Sequence, residues 1–579
     1  MNKIVETLLK DFIRDQKLEN DLEESVYFEH FAAYLTVGLF LESTLDTSIC
    51  VVGEDSQPAI DVLGTIVNGA LVTDTEDIEQ YSEVNGYLDV DFVFVQAKTS
   101  SSFDVSALAD LGDFAERIFT DGPSSVDNEK ISDFADLKDN IYSKAKFFKK
   151  RNPNLHLYYV TTGQSPSGDK HFIQKETLIK NRLQKLGLFK EIKIHLIGVS
   201  ELQKLALQMS NSLIREINFP RKIALPDIPG VTQAFVGVLP AKEFLTLIEG
   251  ENQNILSSIF YDNVRDWQGF NDVNTGMQQT LTEQASRSKF VLMNNGVTII
   301  AKKIQPTGEK IVLEDYQVVN GCQTSNILWQ CQSLLDESVM VPLRIVATDD
   351  ETVVADIIRA TNSQTEVTPS QLLAVTDFQK QLELFFGAHG DNSLFYERRS
   401  RQYTNRAVEK SRVITPIALV KAFSSMFLEE PHKTTRDFGS VLKKVGTDIF
   451  KESHKHEPYF LAALASFWLD QLLKKGKIDK SVRIARYQIL LALRLIHEPE
   501  DIPALTSNKI VKYVNKMLPL FKDAQTAEQS LKKSVDIVSR LMKGKDRDEV
   551  RTSSFTQQVR TAANKTRLRM QATKNSRAK

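Results

Sequence analysis

Cysteine is scarce: Cys50, Cys322 and Cys331 are the only three in 579 residues. Three thiols cannot build a disulfide framework, and no CxxC pair or Cys/His cluster suggests structural zinc. The nine histidines are scattered, and none is assigned to a metal. No apolar run approaches the roughly 20 residues that cross a bilayer. The opening MNKIVETLLKDFIRDQ is amphipathic, with acids spread among its bases, so it reads as neither a secretory signal nor a transit peptide. A Walker-type phosphate loop is absent, and no internal repeat of fixed period is visible. The expectation is a soluble, cytoplasmic protein that makes no membrane contact. Hydrophobic residues at 42% and charged residues at 25% are close to globular averages, which excludes wholesale disorder and collagen-like repeats. At about 100–200 residues per domain, the length suggests three or four domains, or two with large elaborations.

The formal net charge of −3 hides an asymmetry. Residues 11–29 are acidic, whereas the last nineteen carry Lys565, Arg567, Arg569, Lys574, Arg577 and Lys579 with no acid. A basic tail fits phosphate neutralisation on nucleic acid. It fits a solvated, disordered end equally well.

Hydrophobic spacing predicts a helix over 25–41, strands over 60–68 and 88–100, a helical stretch over 104–150, and strands over 155–163 and 192–199. Asn68-Gly69 marks a hairpin turn after the first strand. Residues 71–88 are acidic and read as an excursion between strands. Pro220, Pro226 and Pro229 interrupt regular structure. The boundaries expected are 1–215, a linker at 216–240, a central core at 241–405, a helical domain at 406–545 and a flexible basic tail at 546–579. The fold class expected is an α/β N-terminal domain with a mixed sheet, an α+β central core, and a mostly α-helical C-terminal region.

The strand LDVDFVFVQAKTS ends with an amide and an ammonium, Gln96 and Lys98, on one face. The preceding strand carries one carboxylate, Asp61, inside an apolar run. If the strands pair, these groups converge at one sheet edge. A carboxylate and a carbonyl oxygen suit hard Mg²⁺ (or Mn²⁺), which activates water and offsets charge on phosphorus. A lysine can orient the attacking water and stabilise the anionic transition state. An acid on the first helix would complete the site; Glu29 is the first choice, and Glu24 and Glu42 compete for the role. The plain alternative makes Asp61 a turn cap and Lys98 an exposed strand-end lysine.

This arrangement resembles the PD-(D/E)XK nuclease superfamily in its QxK, Mrr-like branch, where a helix Glu precedes an Asp on one strand and Gln-x-Lys on the next. Carried over by position, Glu29, Asp61, Gln96 and Lys98 match as catalytic residues, with Glu29, Asp61 and Gln96 as metal ligands. The resemblance covers about residues 25–200 and implies a nuclease-like fold. The chain departs from the pattern in three ways: no Gly precedes Asp61, the gap to Gln96 is long, and Gln leaves the metal site one negative charge short.

The middle of the chain concentrates neutral hydrogen-bonding residues. They are Asn294-Asn295-Gly296 before a strand, Asn320-Gly321 leading to Gln323-Thr324 at a helix start, and then Asn362 and Gln364. Arginines Arg265, Arg359, Arg398 and Arg399 accompany them, and guanidinium forks match phosphate oxygens. A helix start after a Gly turn is a natural anion seat. The alternative is that the turns simply brace a loop-rich domain, with Glu397 pairing one of its arginine neighbours. Cys322 reads as a small buried hydrophobe. The phrases NVRDWQG, NNGVTIIA, VVNGCQTSNIL, ATNSQTEV and YERR closely resemble, in order, those of the abortive-infection phage-resistance (AIPR) family over about residues 255–400.

The two resemblances together imply a Mg²⁺-dependent endonuclease of antiphage defence, cutting DNA more readily than RNA. Its AIPR core would bind nucleic acid or a nucleotide, and a homodimer or defence-system partner proteins are expected companions. A non-catalytic sensor whose nuclease-like domain only binds is the alternative. A nucleotide hydrolase ranks last.

Overall fold

The computed structural model describes the chain except residues 1, 20, 42, 54–58, 125–127, 149–150, 167, 211–213, 250–254, 257–258, 261–271, 363–375, 400, 499–500 and 578–579. At 208, 210, 272–274, 351, 355, 359, 362 and 573–577 only the backbone is described. The chain divides into two compact units, residues 1–205 with 377–579, and residues 206–376.

The first unit is built on a five-stranded sheet in the order β2-β1-β3-β4-β5. Its strands are β1 (Val62–Val67), β2 (Ala70–Leu71), β3 (Val90–Lys98), β4 (Asn154–Thr161) and β5 (Glu191–Ile197). Asn68 and Gly69 both adopt positive φ, 51° and 79°, which is what a two-residue hairpin between β1 and β2 demands. β1 runs antiparallel to β3, whereas β3–β4 and β4–β5 are parallel. Parallel neighbours need crossovers, supplied by helices Val105–Thr120, Glu129–Ser143 and Lys170–Gln184. The mixed sheet expected from the sequence is present; β1, β3, β4 and β5 lie within about two residues of their predicted spans, and the two-residue β2 was not predicted.

Alternation along β3 sends Phe92 and Phe94 to one face, where Phe92 meets Phe119 at 5.3 Å and Phe134 at 5.6 Å between ring centres. Val93 belongs to the other face and pairs in register with His156, whose ring packs 4.7 Å from Phe40. Phe40 ends the turn that follows helix Glu24–Thr36, so that helix covers this second face.

The acidic stretch at 71–88 is a helix, Thr75–Val84, capped by Asp74. Its carboxylates point to the C-terminal region: Arg551 bonds Glu76 at 2.6 Å and Glu79 at 2.8 Å, and Lys421 bonds Asp77 at 2.9 Å. That region is helical, as expected, with Pro416–Phe427, Glu457–Lys474, Arg486–His497 and Ala524–Met542 as its main helices. The expected flexible tail is instead a 25-residue helix, Ser553–Arg577, because Phe555, Val559 and Ala563 recur at i, i+4 and i+8 and are buried.

The second unit holds a six-stranded sheet in the order β6-β10-β9-β11-β8-β7. The strands are β6 (Ile214–Asn218), β7 (Lys222–Ala224), β8 (Gln233–Pro240), β9 (Val297–Thr307), β10 (Lys310–Asn320) and β11 (Met340–Ala347). Only β9 and β11 are parallel. The stretch 216–240 expected as a linker is therefore three strands. Its prolines misled because Pro220, Pro226 and Pro229 fall between strands, and β6 and β7 are edges, where proline costs no central ladder bond. The unit also ends at 376, so residues 377–405 pack with the first unit and not with the core expected at 241–405.

Candidate active site

One residue before β1, the backbone N–H of Asp61 donates to Val95 O at 2.9 Å, and its carbonyl accepts from Val52 N–H at 2.8 Å. The Asp61 carboxylate then reaches across the strand end, where Oδ2 accepts the Ala97 N–H at 2.6 Å. The side chain thus replaces a missing ladder partner between Gln96 and Lys98. Gln96 is 1% exposed and Lys98 is half-buried, both continuing the face of Phe92 and Phe94. Asp61, Gln96 and Lys98 therefore meet at one corner of one face. Asp61 Oδ1 carries no hydrogen bond among the described residues.

Burial pushes the Asp61 carboxyl up to about 6, against the pull of the Ala97 N–H and the Lys98 charge. An exposed aspartate titrates near 3.8, so the fold favours the protonated form. The stability this contributes is complete below pH 3.8 and is lost as pH rises through 6. Asp61→Asn keeps the acceptor for Ala97 and removes the charge. It is expected to raise the unfolding free energy by up to about 3 kcal/mol at pH 7.5 and to change little at pH 4. Denaturant titrations of both proteins at the two pH values measure this, and a variant less stable at pH 7.5 would show that the carboxylate is held ionised.

The loops leaving β3 and β4 are tied together: Thr162 Oγ1 donates to the carbonyls of Thr99 and Ser100, each at 3.0 Å. Another carboxylate sits nearby that sequence reading missed. Asp104 caps helix Val105–Thr120 through Ser106 N–H at 2.8 Å, and its own N–H donates to the Tyr159 hydroxyl at 3.1 Å. The Ser106 bonds hold its carboxyl low, and the Lys98 charge acts in the same direction. The available signal was an N-cap aspartate six residues after Lys98.

Glu29 is half-buried on helix Glu24–Thr36, which covers the opposite face, and it is not among the groups that shift Asp61. Among the described residues, no group of three or more His, Cys, Asp and Glu side chains is arranged to hold a metal ion. The donors present, a carboxylate with one oxygen open and a buried amide, fit Mg²⁺ bound through one or two carboxylates, waters and a phosphate. They do not fit a dedicated protein cage.

The second constellation does not form one described site. Asn294 accepts the Gly296 N–H at 2.7 Å and donates to Thr324 Oγ1 at 2.9 Å, so it ties the two polar turns to each other. Asn320 donates to Thr361 O at 2.8 Å, Gln323 is half-buried, and Asn295 is exposed. Cys322 is buried. Arg359 and Asn362 end helix Glu351–Asn362, their side chains outside the description, and Arg265 and Gln364 lie outside the described residues. Arg398 and Arg399 belong to the other unit. Arg398 pairs with Glu383 at 3.0 Å, and Arg399 is exposed. Glu397 does not pair with its arginine neighbours as expected; its buried carboxylate accepts the Thr44 N–H at 3.0 Å.

Gly321 begins helix Cys322–Gln330 at φ 105°, and a Cβ there would lie 2.8 Å from Val297 Cγ2. Gly321→Ala is therefore expected to cost about 1–3 kcal/mol in a denaturant titration. An unchanged midpoint would mean the turn can relax.

A family model described as AIPR protein matches residues 260–550, just over half of the chain. The chain belongs to the AIPR family. In this AIPR protein the matched segment starts in the central unit and runs on through the C-terminal helices that belong to the first unit. The Asp61 corner lies outside the AIPR match. No curated protein and no solved structure matches the chain. No described helix is long and apolar enough to cross a membrane.

Proposed function

We propose that this AIPR protein is a metal-dependent nuclease of abortive-infection phage defence, with its active site at the Asp61–Lys98 corner. The observation that carries the reading is the meeting of a half-buried carboxylate, a buried amide and a lysine at the end of one strand pair. Asp61 Oδ1 and the Gln96 amide oxygen would hold Mg²⁺ or Mn²⁺. When bound, the ion supplies an acidified water and offsets charge on the phosphate. Lys98 would orient the attacking water and neutralise a phosphoryl oxygen as negative charge builds up. DNA is the favoured substrate, because the QxK nucleases that the corner resembles mostly cut DNA. The AIPR core would bind nucleic acid or nucleotide and gate the cutting.

The test is incubation of the full chain with supercoiled plasmid, single strands and RNA, with Mg²⁺, Mn²⁺ or EDTA. Metal-dependent cleavage is expected, together with a metal-induced rise in Tm that Asp61→Asn abolishes. No cleavage of any substrate and no metal effect on Tm would sink the proposal. A second reading, a non-catalytic sensor, draws on the same carboxylate: Asp61 already closes the backbone at Ala97 and needs no metal for that role.

A further inference from the structure

Helix Ser553–Arg577 changes character part-way along. Its first half is seated by Phe555, Val559 and Ala563 against helices Arg486–His497 and Ala524–Met542, and Arg560 pairs with Glu429. Beyond Ala563 no described residue of the helix is buried. Lys565 and Arg569 are exposed, Arg567 is half-buried beside Asn564, and Leu568 is 59% exposed. The neighbouring helix Ala524–Met542 runs alongside, since the Lys533 ammonium reaches Met570 Sδ at 3.6 Å. That helix carries the exposed Lys532 and Lys533, with Asp536 as the only acid between Leu531 and Met542. From Val550 onward the chain carries no Asp or Glu, while Lys574, Arg577 and Lys579 continue the run of cations.

We propose that the cations of these two helices, Lys532, Lys533, Lys565, Arg567 and Arg569, bind the phosphate backbone of duplex nucleic acid. The fourteen residues from Asn564 to Arg577 extend about 20 Å as helix, a length over which a duplex presents roughly a dozen phosphates. Cations on two adjoining helices, with hydroxyl and amide residues between them, match that partner. An anionic membrane is the poorer match. Helices that lie on membranes bury a face of Trp, Phe and Leu, and here the apolar residues after Ala563 are Leu568, Met570 and two alanines. The proposal shares with the proposed function its assignment of nucleic acid as the ligand. It needs no metal, so binding measured in EDTA separates its failure from failure of the catalytic corner.

Fluorescence anisotropy of the full chain on a labelled 25-base-pair duplex in EDTA, across a KCl series, tests the proposal. The triple variant Lys565→Gln, Arg567→Gln, Arg569→Gln is expected to bind at least tenfold more weakly. Its slope of log K against log salt should be shallower by about 2 to 3, since each phosphate contact contributes about 0.9. Glutamine is a good helix former, so Tm should hold. If the triple variant misfolds, Lys532→Gln with Lys533→Gln supplies the same comparison, with a slope change of about 2. Unchanged affinity and slope in a folded variant would overturn the proposal. So would no duplex binding by the parent protein, or tighter capture by anionic phospholipid vesicles that the variant loses.

Discussion

Lys98→Ala is expected to lower metal-dependent cleavage by a hundred- to a thousandfold while the protein stays folded. Lys98 is half-buried at the strand end, so truncation leaves no large cavity and no unpaired partner in the core. Its charge acts on two carboxylates, Asp61 and Asp104. Loss of one preorganised cation at the site where charge develops typically costs about 3–4 kcal/mol of transition-state stabilisation. The same truncation removes a group that pulls the Asp61 carboxyl down. Asp61 should therefore titrate higher in the variant, and any residual cleavage should rise at a more alkaline pH than in the parent. Single-turnover cleavage of plasmid across pH 5.5–9, with circular dichroism as the fold check, reads both effects. Lys98→Ala cutting at the parental rate would remove lysine from the mechanism and leave the corner as a strand closure.

The second large effect belongs to stability. Arg551→Met is expected to destabilise the first unit by about 3–5 kcal/mol. Arg551 and Glu76 are 3% and 2% exposed, and the guanidinium bonds Glu76 and Glu79 together. Burial works against the Arg551 charge, and the two carboxylates more than offset it. Burial likewise pushes the Glu76 carboxyl up, with Arg486 and Arg551 opposing. Removing Arg551 leaves a buried carboxylate that must ionise without its closest cation or take up a proton. The loss should therefore be larger at pH 7.5 than at pH 5, and adding Glu76→Gln to Arg551→Met should restore part of it. Denaturant midpoints for the single and double variants at both pH values measure this. A loss below about 1 kcal/mol would show that Arg486 carries Glu76 by itself. The same geometry predicts that a fragment ending at residue 205 folds poorly, because Glu76, Asp77 and Glu79 would lose Arg551 and Lys421.

Local signals in the chain were read well where the physics is local. Asn68-Gly69 announces its hairpin because both residues tolerate positive φ. Gln96 and Lys98 share a face because side chains alternate along any strand, and the AIPR phrases are visible as ordered text. Asp104 was missed although it carries an N-cap signal, because its relation to Lys98 depends on how the crossover helix starts. The prolines of 216–240 suggest a linker because proline marks a break without saying whether the flanking segments are strands at a sheet edge.

Residue spacing by itself determined the N-terminal mixed sheet and the helical C-terminal region, and ordered short phrases carried the family resemblance, since each depends on short stretches of sequence. Pairing across hundreds of residues was decided only by the tertiary structure. Burial of the acidic helix Thr75–Val84 is permitted by cations more than 300 residues away, the basic end becomes a helix because a packed surface receives Phe555 and Val559, and Asp61 reaches Ala97 because two strands register. A charge reads as solvent-facing in a sequence until its distant partner is in place, because only that partner offsets the cost of taking it out of water.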